Sequence, residues 1–192
     1  MRHYWMALVL IALALGPSAG CVAPVLVAGA AAGATVATDK RTTAAVLDDQ
    51  AIELKAGGEL NADETLKDAR IAVTSYNRIV LLTGQVPNQA ARERVLAHVN
   101  TVDKVRRVHD ELTLGPSVSM KQRGIDSLTT AKVKSRLLGE QGLPSVHVKV
   151  VTENGVVYLM GLARRNEAQY VAQIVQQVDG VRGVVLVIEY LD

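Results

Sequence analysis

The feature of this 192-residue sequence that most restricts its fold is an internal repeat. Residues 71–84 align without a gap with residues 148–161, an offset of 77 (148 minus 71). The identical residues that this offset superimposes include Asn77 on Asn154, Leu82 on Leu159 and Gly84 on Gly161. A repeat of this length is a small domain rather than a solenoid unit. We therefore predict two copies of one compact domain, at residues 49–115 and 126–192, joined by a linker at 116–125.

Hydrophobic periodicity predicts the same five elements in each copy. Asp49 and Asp126 occupy the expected N-cap positions of the first helices. One stripe of each helix follows at i, i+4 and i+8, at Ile52, Ala56 and Leu60 and again at Thr129, Val133 and Leu137. The remaining elements are strand 71–75, strand 79–83, helix 88–101 and strand 108–114, with counterparts at 148–152, 156–160, 165–178 and 184–190. Each copy is thus α-β-β-α-β.

The connections predict the topology of each sheet. Glu153-Asn154-Gly155 contains Asn-Gly, which favours a two-residue hairpin turn. The equivalent Tyr76-Asn77-Arg78 lacks the glycine, so the first hairpin is less clearly specified. A helix joins the second strand to the third, and such a crossover predicts that these two strands are parallel. The predicted fold class is α+β, with a small mixed three-stranded sheet packed on two helices in each copy.

The N-terminus is typical of a secretory signal. Arg2 and His3 precede an apolar run, residues 4–15, and a small-residue segment that ends at Cys21. We predict a signal peptide at residues 1–20. The end of this segment resembles the lipobox of bacterial lipoproteins, although Ser18 stands where leucine is usual. The resemblance implies cleavage before Cys21 and acylation of that residue, with palmitate among the chains. If Cys21 were not processed, residues 4–38 would serve as an uncleaved membrane anchor.

The segment at residues 21–48 then becomes a lipidated N-terminus followed by a tether. Residues 22–38 are dominated by Ala, Gly and Val. In enterobacterial lipoproteins, Asp after the lipidated cysteine signals retention in the inner membrane. Val22 stands at that position here. The resemblance therefore implies an outer-membrane location, with the protein anchored by lipid and facing the periplasm.

The order of elements, together with two short motifs, resembles the BON domain. A glycine follows the second strand in LLTG and YLMG, and VDKV and VDGV follow the second helix. The whole layout of lipobox, tether and two BON domains is similar to the dual-BON outer-membrane lipoproteins of Gram-negative bacteria, the DolP/YraP family. That resemblance implies an envelope protein found at the division site, with a part in keeping the outer membrane intact.

Composition and motifs indicate no enzyme. A single cysteine excludes an intrachain disulfide and a multi-cysteine metal cluster. A net charge of +2 and 3% aromatic residues argue against nucleic-acid binding by the whole chain. The sequence contains no nucleophile elbow, no phosphate-binding loop and no group of histidines at ligand spacing. We predict neither catalytic residues nor a metal or cofactor.

The two copies differ most in their first helices. Residues 117–139 contain five basic residues and one acid, whereas residues 40–62 contain three basic and four acidic residues. We predict that the helix face opposite the apolar stripe binds anionic phospholipids, such as phosphatidylglycerol or cardiolipin. The candidate residues are Leu128, Lys132, Lys134, Ser135 and Arg136. A solvated basic face with one exposed leucine fits the residues equally well. The BON-family resemblance implies the phospholipid contact, because this helix makes it in that family.

Two other functions remain open at this stage. The BON domains could instead form a protein-interaction module that docks on envelope assembly machinery or on a regulator of cell-wall amidases. In that case the third strands or the first domain would carry the contact. An envelope enzyme would require a polar pocket that holds ionisable groups with shifted pKa values.

Overall fold

The computed structural model describes residues 39–140 and 147–192, which contain both copies of the repeat. Cys21, the predicted signal peptide and the tether up to residue 38 lie outside the described residues. The first copy comprises α1 (Thr43–Ala62), a short 3-10 turn (Glu64–Leu66), β1 (Arg70–Tyr76), β2 (Ile79–Val86), α2 (Gln89–Asn100) and β3 (Arg107–Leu114). The second comprises α3 (Met120–Leu138), β4 (Val148–Glu153), β5 (Val156–Ala163), α4 (Arg165–Gln176) and β6 (Gly183–Tyr190). The predicted α-β-β-α-β order is confirmed in both.

Each copy forms one mixed three-stranded sheet. The strand orders are β1-β2-β3 and β4-β5-β6, so the second strand is central in both sheets. It pairs antiparallel with the first strand and parallel with the third. The predicted crossover is therefore confirmed, and the fold class is α+β.

The predicted starts of the first helices are wrong. The N-caps are Thr42 and Ser119, whose hydroxyls accept hydrogen bonds from the backbone N–H groups of Ala45 and Gln122. Each helix therefore begins seven residues before the predicted position (49 minus 42, and 126 minus 119), in segments assigned to the tether and the linker. Asp49 and Asp126 lie inside the helices and are buried, at 3% and 4% exposure. Their carboxylates stabilise the hairpin turns instead of the helix ends.

The two hairpin turns have the same backbone conformation. Both central residues have positive φ angles, 50° and 64° at Asn77 and Arg78, and 49° and 77° at Asn154 and Gly155. This is the pattern of a type I′ turn, whose twist matches that of the flanking strands. Arg78 occupies a conformation that costs a non-glycine residue about 1–2 kcal/mol. The first copy therefore forms the tight turn without the glycine that usually marks it.

Each sheet packs one face against its own two helices. In the first copy, the predicted stripe of Ile52, Ala56 and Leu60 is buried against β2, together with Val95 and Val99 of α2. In the second copy, Val133, Val171 and Val175 form the equivalent core. Alternate residues of the central strands point to these cores, as the two-residue period of a strand requires.

The other faces of the two sheets pack against each other. This inter-sheet core joins Tyr76, Ile79 and Leu81 of the first sheet to Tyr158, Met160, Leu162 and Val187 of the second. The layers are therefore helices, sheet, sheet and helices, and α1 and α3 lie on opposite outer sides. Burial on both faces explains why β2 and β5 are nearly continuous apolar runs.

Ion pairs and hydrogen bonds surround the inter-sheet core. Glu153 of β4 accepts hydrogen bonds from Arg70, at 2.7 Å, and from Gln85, at 2.8 Å. The amide oxygen of Gln85 also accepts from the backbone N–H of Val118, in the linker. At the opposite end of the sheets, Glu189 pairs with Arg106 at 2.9 Å. The linker and both domains are thus held in one hydrogen-bonded network.

Candidate functional site

All five residues predicted to contact phospholipid lie on α3 and are exposed to solvent. Asp126, Thr129 and Val133 form the buried side of this helix, at 4% exposure or less. Leu128, Ala131 and Ser135 lie opposite that side, because residues three and four apart share a helix face. Lys132 and Arg136 flank the outer face on one side, and Lys134 flanks it on the other. We use the name α3 outer face for the central and flanking positions together, which are Leu128, Ala131, Lys132, Lys134, Ser135 and Arg136.

The exposed apolar surface of α3 is larger than the sequence indicated. Leu128 is 66% exposed, and Met120 and Leu138, at 72% and 88%, project from the same side nearer the two helix ends. Gly124, Ala131 and Ser135 lie between them on the helix surface, so the three large side chains stand clear of their neighbours. The helical period extended to both ends of α3 would have revealed Met120 and Leu138. Met120 was missed because the predicted helix began seven residues too late.

The positive charge of α3 faces outward, whereas its one acidic residue faces inward. Asp126 accepts hydrogen bonds from the backbone N–H groups of Asn154 and Gly155, both at 2.9 Å, and from the Gln122 side chain. Lys132 and Lys134 form no salt bridge with any residue in 39–140 or 147–192. Arg136 pairs with Glu140 at 2.5 Å, one turn further along. Because Glu140 lies just outside residues 117–139, its pairing with Arg136 offsets the charge gained by turning Asp126 inward, and the outward net charge is +4, five basic residues against Glu140.

A shallow open groove runs beside part of the α3 outer face. Ala131, Lys132, Ser135 and Arg136 form one wall, and the segment after α4, Gln177 to Asp179, forms the other. Leu128 and Lys134 lie outside the groove. The structure thus brings together Lys132, Ser135 and Arg136 around one depression and leaves the leucine protruding beside it.

The equivalent helix of the first copy has a different outer face. Lys55, which corresponds to Lys132, forms a salt bridge with Asp103 at 3.2 Å. Leu47 and Leu54 are exposed on α1, at 61% and 80%, and Ala51 replaces Leu128. α1 is therefore apolar on its outer face but lacks the unpaired cations of α3.

Within residues 39–140 and 147–192, the ionisable groups with shifted pKa values take part in contacts of the fold. Burial in the inter-sheet core raises the pKa values of Tyr76 and Tyr158 to about 12. The pKa of Asp48 is lowered, because its carboxylate accepts hydrogen bonds from Lys104 and Arg78. Each shift follows from a structural contact of the fold.

One histidine contacts two carboxylates at a position that the sequence spacing did not reveal. His98 of α2 lies 2.9 Å from Asp63 and 4.0 Å from Glu59, which come from the end of α1 and the turn after it. Arg94 also pairs with Asp63. Within the two described segments, no group of histidine, cysteine and carboxylate side chains has an arrangement suited to a metal ion.

The helices themselves do not indicate a membrane span. Over the part of the chain that the structure describes, no helix combines the length and hydrophobicity needed to cross a bilayer.

The protein consists of two α-β-β-α-β domains that pack together through their sheets. Comparison with known proteins identifies the family to which these domains belong. The sequence profile of the BON domain matches residues 48–116 and 125–192. The chain is 40% identical over 174 residues to the outer membrane lipoprotein DolP of Haemophilus influenzae, covering 90% of each chain. It is 35% identical to a 21 kDa hemolysin of Actinobacillus pleuropneumoniae, over 80% of this chain and 79% of the relative. It is 31% identical to the osmotically inducible protein Y of Escherichia coli, over 80% of this chain and 78% of the relative.

The chain therefore belongs to the dual-BON DolP/YraP family of outer-membrane lipoproteins. This membership supports a location in the cell envelope. None of the three relatives has a name that denotes an enzyme.

Proposed function

We propose that this protein is a non-enzymatic lipoprotein that binds anionic phospholipid through the α3 outer face. The acyl chains on Cys21 would anchor it in the outer membrane, where it faces the periplasm. From there it would support the integrity of that membrane, at the division site as the family resemblance implies. The observation that carries this proposal is the exposed Leu128 beside Lys132 and Lys134, two cations without a salt bridge among the described residues.

The charge and the apolar surface of α3 suit an anionic bilayer. Near such a surface each Lys or Arg contributes about 1 kcal/mol, so Lys132, Lys134 and Arg136 together contribute about 3 kcal/mol. Insertion of Leu128 adds about 1–2 kcal/mol, since the side chain is 66% exposed and full burial of a leucine contributes about 1.5–3 kcal/mol. The sum, about 4–5 kcal/mol, corresponds to a dissociation constant of about 0.2–1 mM.

A contact this weak needs a second attachment, which the N-terminus would supply. Residues 22–38 separate Cys21 from the first described residue, Asp39. A chain of this length reaches about 55–60 Å at most, because each residue extends about 3.3–3.6 Å. An anchor in the same leaflet would therefore keep α3 near the bilayer at an effective concentration in the millimolar range. Lipid patches rich in phosphatidylglycerol or cardiolipin would then retain the protein.

The direct test is cosedimentation with vesicles, using residues 39–192 so that the acyl anchor contributes nothing. These residues lie within a single compact unit, Thr38–Asp192. We expect this fragment to pellet with vesicles that contain phosphatidylglycerol or cardiolipin and not with phosphatidylcholine alone. Changing Lys132, Lys134 and Arg136 to Glu should abolish pelleting while the circular dichroism spectrum and melting temperature stay near wild type.

The repeat supplies a matched control. Lys55→Glu makes the same change at the equivalent position of α1, on the opposite outer side, and should leave pelleting unchanged. Leu128→Asp should weaken binding and Ala51→Asp, its counterpart, should not. Unchanged pelleting of the triple α3 variant would exclude the proposed lipid site.

The protein-interaction module remains the second candidate, and one observation favours it. Leu47 and Leu54 are exposed on α1, on the side of the molecule away from α3. If α3 rests on the membrane, α1 faces the aqueous periplasm, where it is accessible to envelope assembly proteins or amidase regulators. Photo-crosslinking in cells from position 54 and from position 128 separates the two candidates. Lipid adducts from position 128 support the first, and protein adducts confined to position 54 support the second.

A further inference from the structure

Met120, at the start of α3, is the one sulfur-containing side chain exposed to solvent in the part of the chain that the structure describes. Met1, Met6 and Cys21 lie in or directly after the predicted signal peptide. Met160 is fully buried in the inter-sheet core, at 0% exposure, whereas Met120 is 72% exposed. Oxidation of a methionine requires that the oxidant reach its sulfur, so a dissolved oxidant attacks Met120 and not Met160.

Met120 also lies on the side of α3 that the proposed lipid contact uses. Met120 and Leu138 are 18 residues apart (138 minus 120), which is about five helical turns, so the two side chains project in the same direction. Leu128 lies between them and is rotated by about 80° around the helix axis. All three side chains are mostly exposed, and they span about 27 Å along the helix. Met120 would therefore enter a bilayer together with the two leucines.

Arg123 would give an oxidised Met120 a hydrogen-bond partner. The Arg123 guanidinium contacts the sulfur of Met120, three residues earlier on the same helix. Its Nε atom is buried and has no hydrogen-bond partner among the described residues. A thioether sulfur is a weak acceptor, whereas the oxygen of a sulfoxide is a polar one. Oxidation of Met120 would therefore supply this guanidinium with an acceptor that the reduced side chain does not offer.

We propose that Met120 is an oxidation site that controls the membrane contact of α3, with hydrogen peroxide as the oxidant. The sulfur donates a lone pair to one peroxide oxygen, and an S–O bond forms as the O–O bond breaks. The second oxygen takes the proton of the first and leaves as water. The thioether is thereby oxidised by two electrons to methionine sulfoxide, and the peroxide is reduced by two. A methionine sulfoxide reductase reverses the change, since two thiols become a disulfide and the sulfoxide oxygen leaves as water.

The oxidised side chain would oppose insertion into a bilayer. The S–O group is polar, and its burial in lipid costs free energy unless it keeps a hydrogen-bond partner. Arg123 is that partner, and it would hold the sulfoxide at the helix surface. One of three large apolar contacts is then lost, while the cations of the α3 outer face stay in place. We expect oxidation to raise the lipid concentration that gives half-maximal binding about tenfold. This inference rests on the proposed lipid contact.

The test uses residues 39–192, in which Met120 and Met160 carry the only sulfur atoms. Brief treatment with hydrogen peroxide, followed by peptide mass spectrometry, shows which methionine gains an oxygen. Cosedimentation with phosphatidylglycerol vesicles then compares the reduced, the oxidised and the reductase-treated fragment. We expect oxygen on Met120 alone, binding that is about tenfold weaker after oxidation, and full binding again after the reductase.

Three variants separate the effect at Met120 from other oxidative damage. Met120→Leu keeps an apolar side chain without the sulfur, so it should bind like wild type and resist peroxide. Met120→Gln approximates the polar sulfoxide and should bind weakly without oxidant. Met160→Leu, the buried control, should stay as sensitive to peroxide as wild type, and melting temperatures show that each variant is folded.

The outcomes distinguish a failure of this inference from a failure of the lipid site. Full binding by the oxidised wild-type fragment overturns the inference and leaves the lipid site standing. The same holds if Met120→Leu loses as much binding to peroxide as wild type does, or if Met160 is oxidised first. A reduced wild-type fragment that does not bind the vesicles overturns the lipid site and this inference with it.

Discussion

Replacement of Asp49 by alanine should be among the most destabilising single substitutions in the first domain. The buried carboxylate accepts hydrogen bonds from the backbone N–H groups of Asn77, at 2.7 Å, and Arg78, at 2.6 Å. It also accepts from the Ser75 hydroxyl at 2.7 Å and pairs with Arg41 at 2.8 Å. The carboxylate thus holds a left-handed turn in place from inside the adjacent helix.

The magnitude follows from the groups that lose their partner. Each buried donor left without an acceptor costs about 1–3 kcal/mol, and two backbone N–H groups would be left in this state. We therefore expect Asp49→Ala to lower the free energy of unfolding by about 3–5 kcal/mol. Asp49→Asn retains one side-chain oxygen as an acceptor and should lose less, about 1–2 kcal/mol. Urea denaturation of residues 39–192, followed by circular dichroism, measures both.

The second copy supplies the comparison that can refute this reasoning. Asp126 accepts from the equivalent N–H groups at 2.9 Å, but it has no arginine partner among residues 39–140 and 147–192, and its turn contains Gly155 in place of Arg78. Asp126→Ala should therefore cost less than Asp49→Ala. An Asp49→Ala variant within about 1 kcal/mol of wild type would show that the turn does not depend on the carboxylate.

Three further predictions concern the sheets. Gly84 has a φ of 122°, and a Cβ there would collide with the Arg70 carbonyl oxygen, whereas Gly161 has no positive φ and its nearest such contact is 3.1 Å. Gly84→Ala should thus lower the urea midpoint more than Gly161→Ala, and equal effects would contradict this. Burial raises the pKa of Tyr76 to about 12 from 10.0, so the unfolded chain loses its proton first and stability falls as pH rises from about 10 to about 12. Tyr76→Phe should flatten that fall, by up to about 3 kcal/mol, in denaturation curves taken across the window. The hydrogen bond from Arg106 holds the pKa of Glu189 below 4.5, so its stabilising contribution is lost as pH falls through that lowered value. Stability measured below pH 4.5 should therefore fall less steeply in Glu189→Gln than in wild type.

Strand positions and the helix-side cores were predictable because they depend on local periodicity, and strand direction was predictable because a helix joins the second strand to the third. Ile52, Ala56 and Leu60 are buried where a helical period places them. The helix starts were not predictable from Asp49 and Asp126, although aspartate is a favoured N-cap residue. Both carboxylates bind the N–H groups of a turn about 28 residues away. The residue type of these aspartates suggested a local role as helix N-caps, but their contacts with a turn distant in sequence determine what they do.

The candidate site was predictable in part for the same reason. The exposure of Leu128 and of the lysines beside it follows from the buried stripe on the other side of α3. The packing of the two sheets was not predicted, since an apolar strand shows that both of its faces are covered but not by what. The unbroken apolar run from Ile79 to Leu82 indicates that both faces of β2 are buried, but it does not indicate which element covers the second face.

The packing of the two sheets also bears on how duplicated domains diverge. In each copy, one sheet face packs against the sheet of the other copy and the other face packs against the helices of the same copy. A substitution on either face must therefore be matched by a substitution in the element that packs against it. Only the outward sides of the helices can vary without such compensation. The outer faces of α1 and α3 differ in this way, since Leu54 corresponds to Ala131, Ala51 to Leu128 and Gly57 to Lys134. Duplication thus left this protein with two surfaces that could acquire separate tasks.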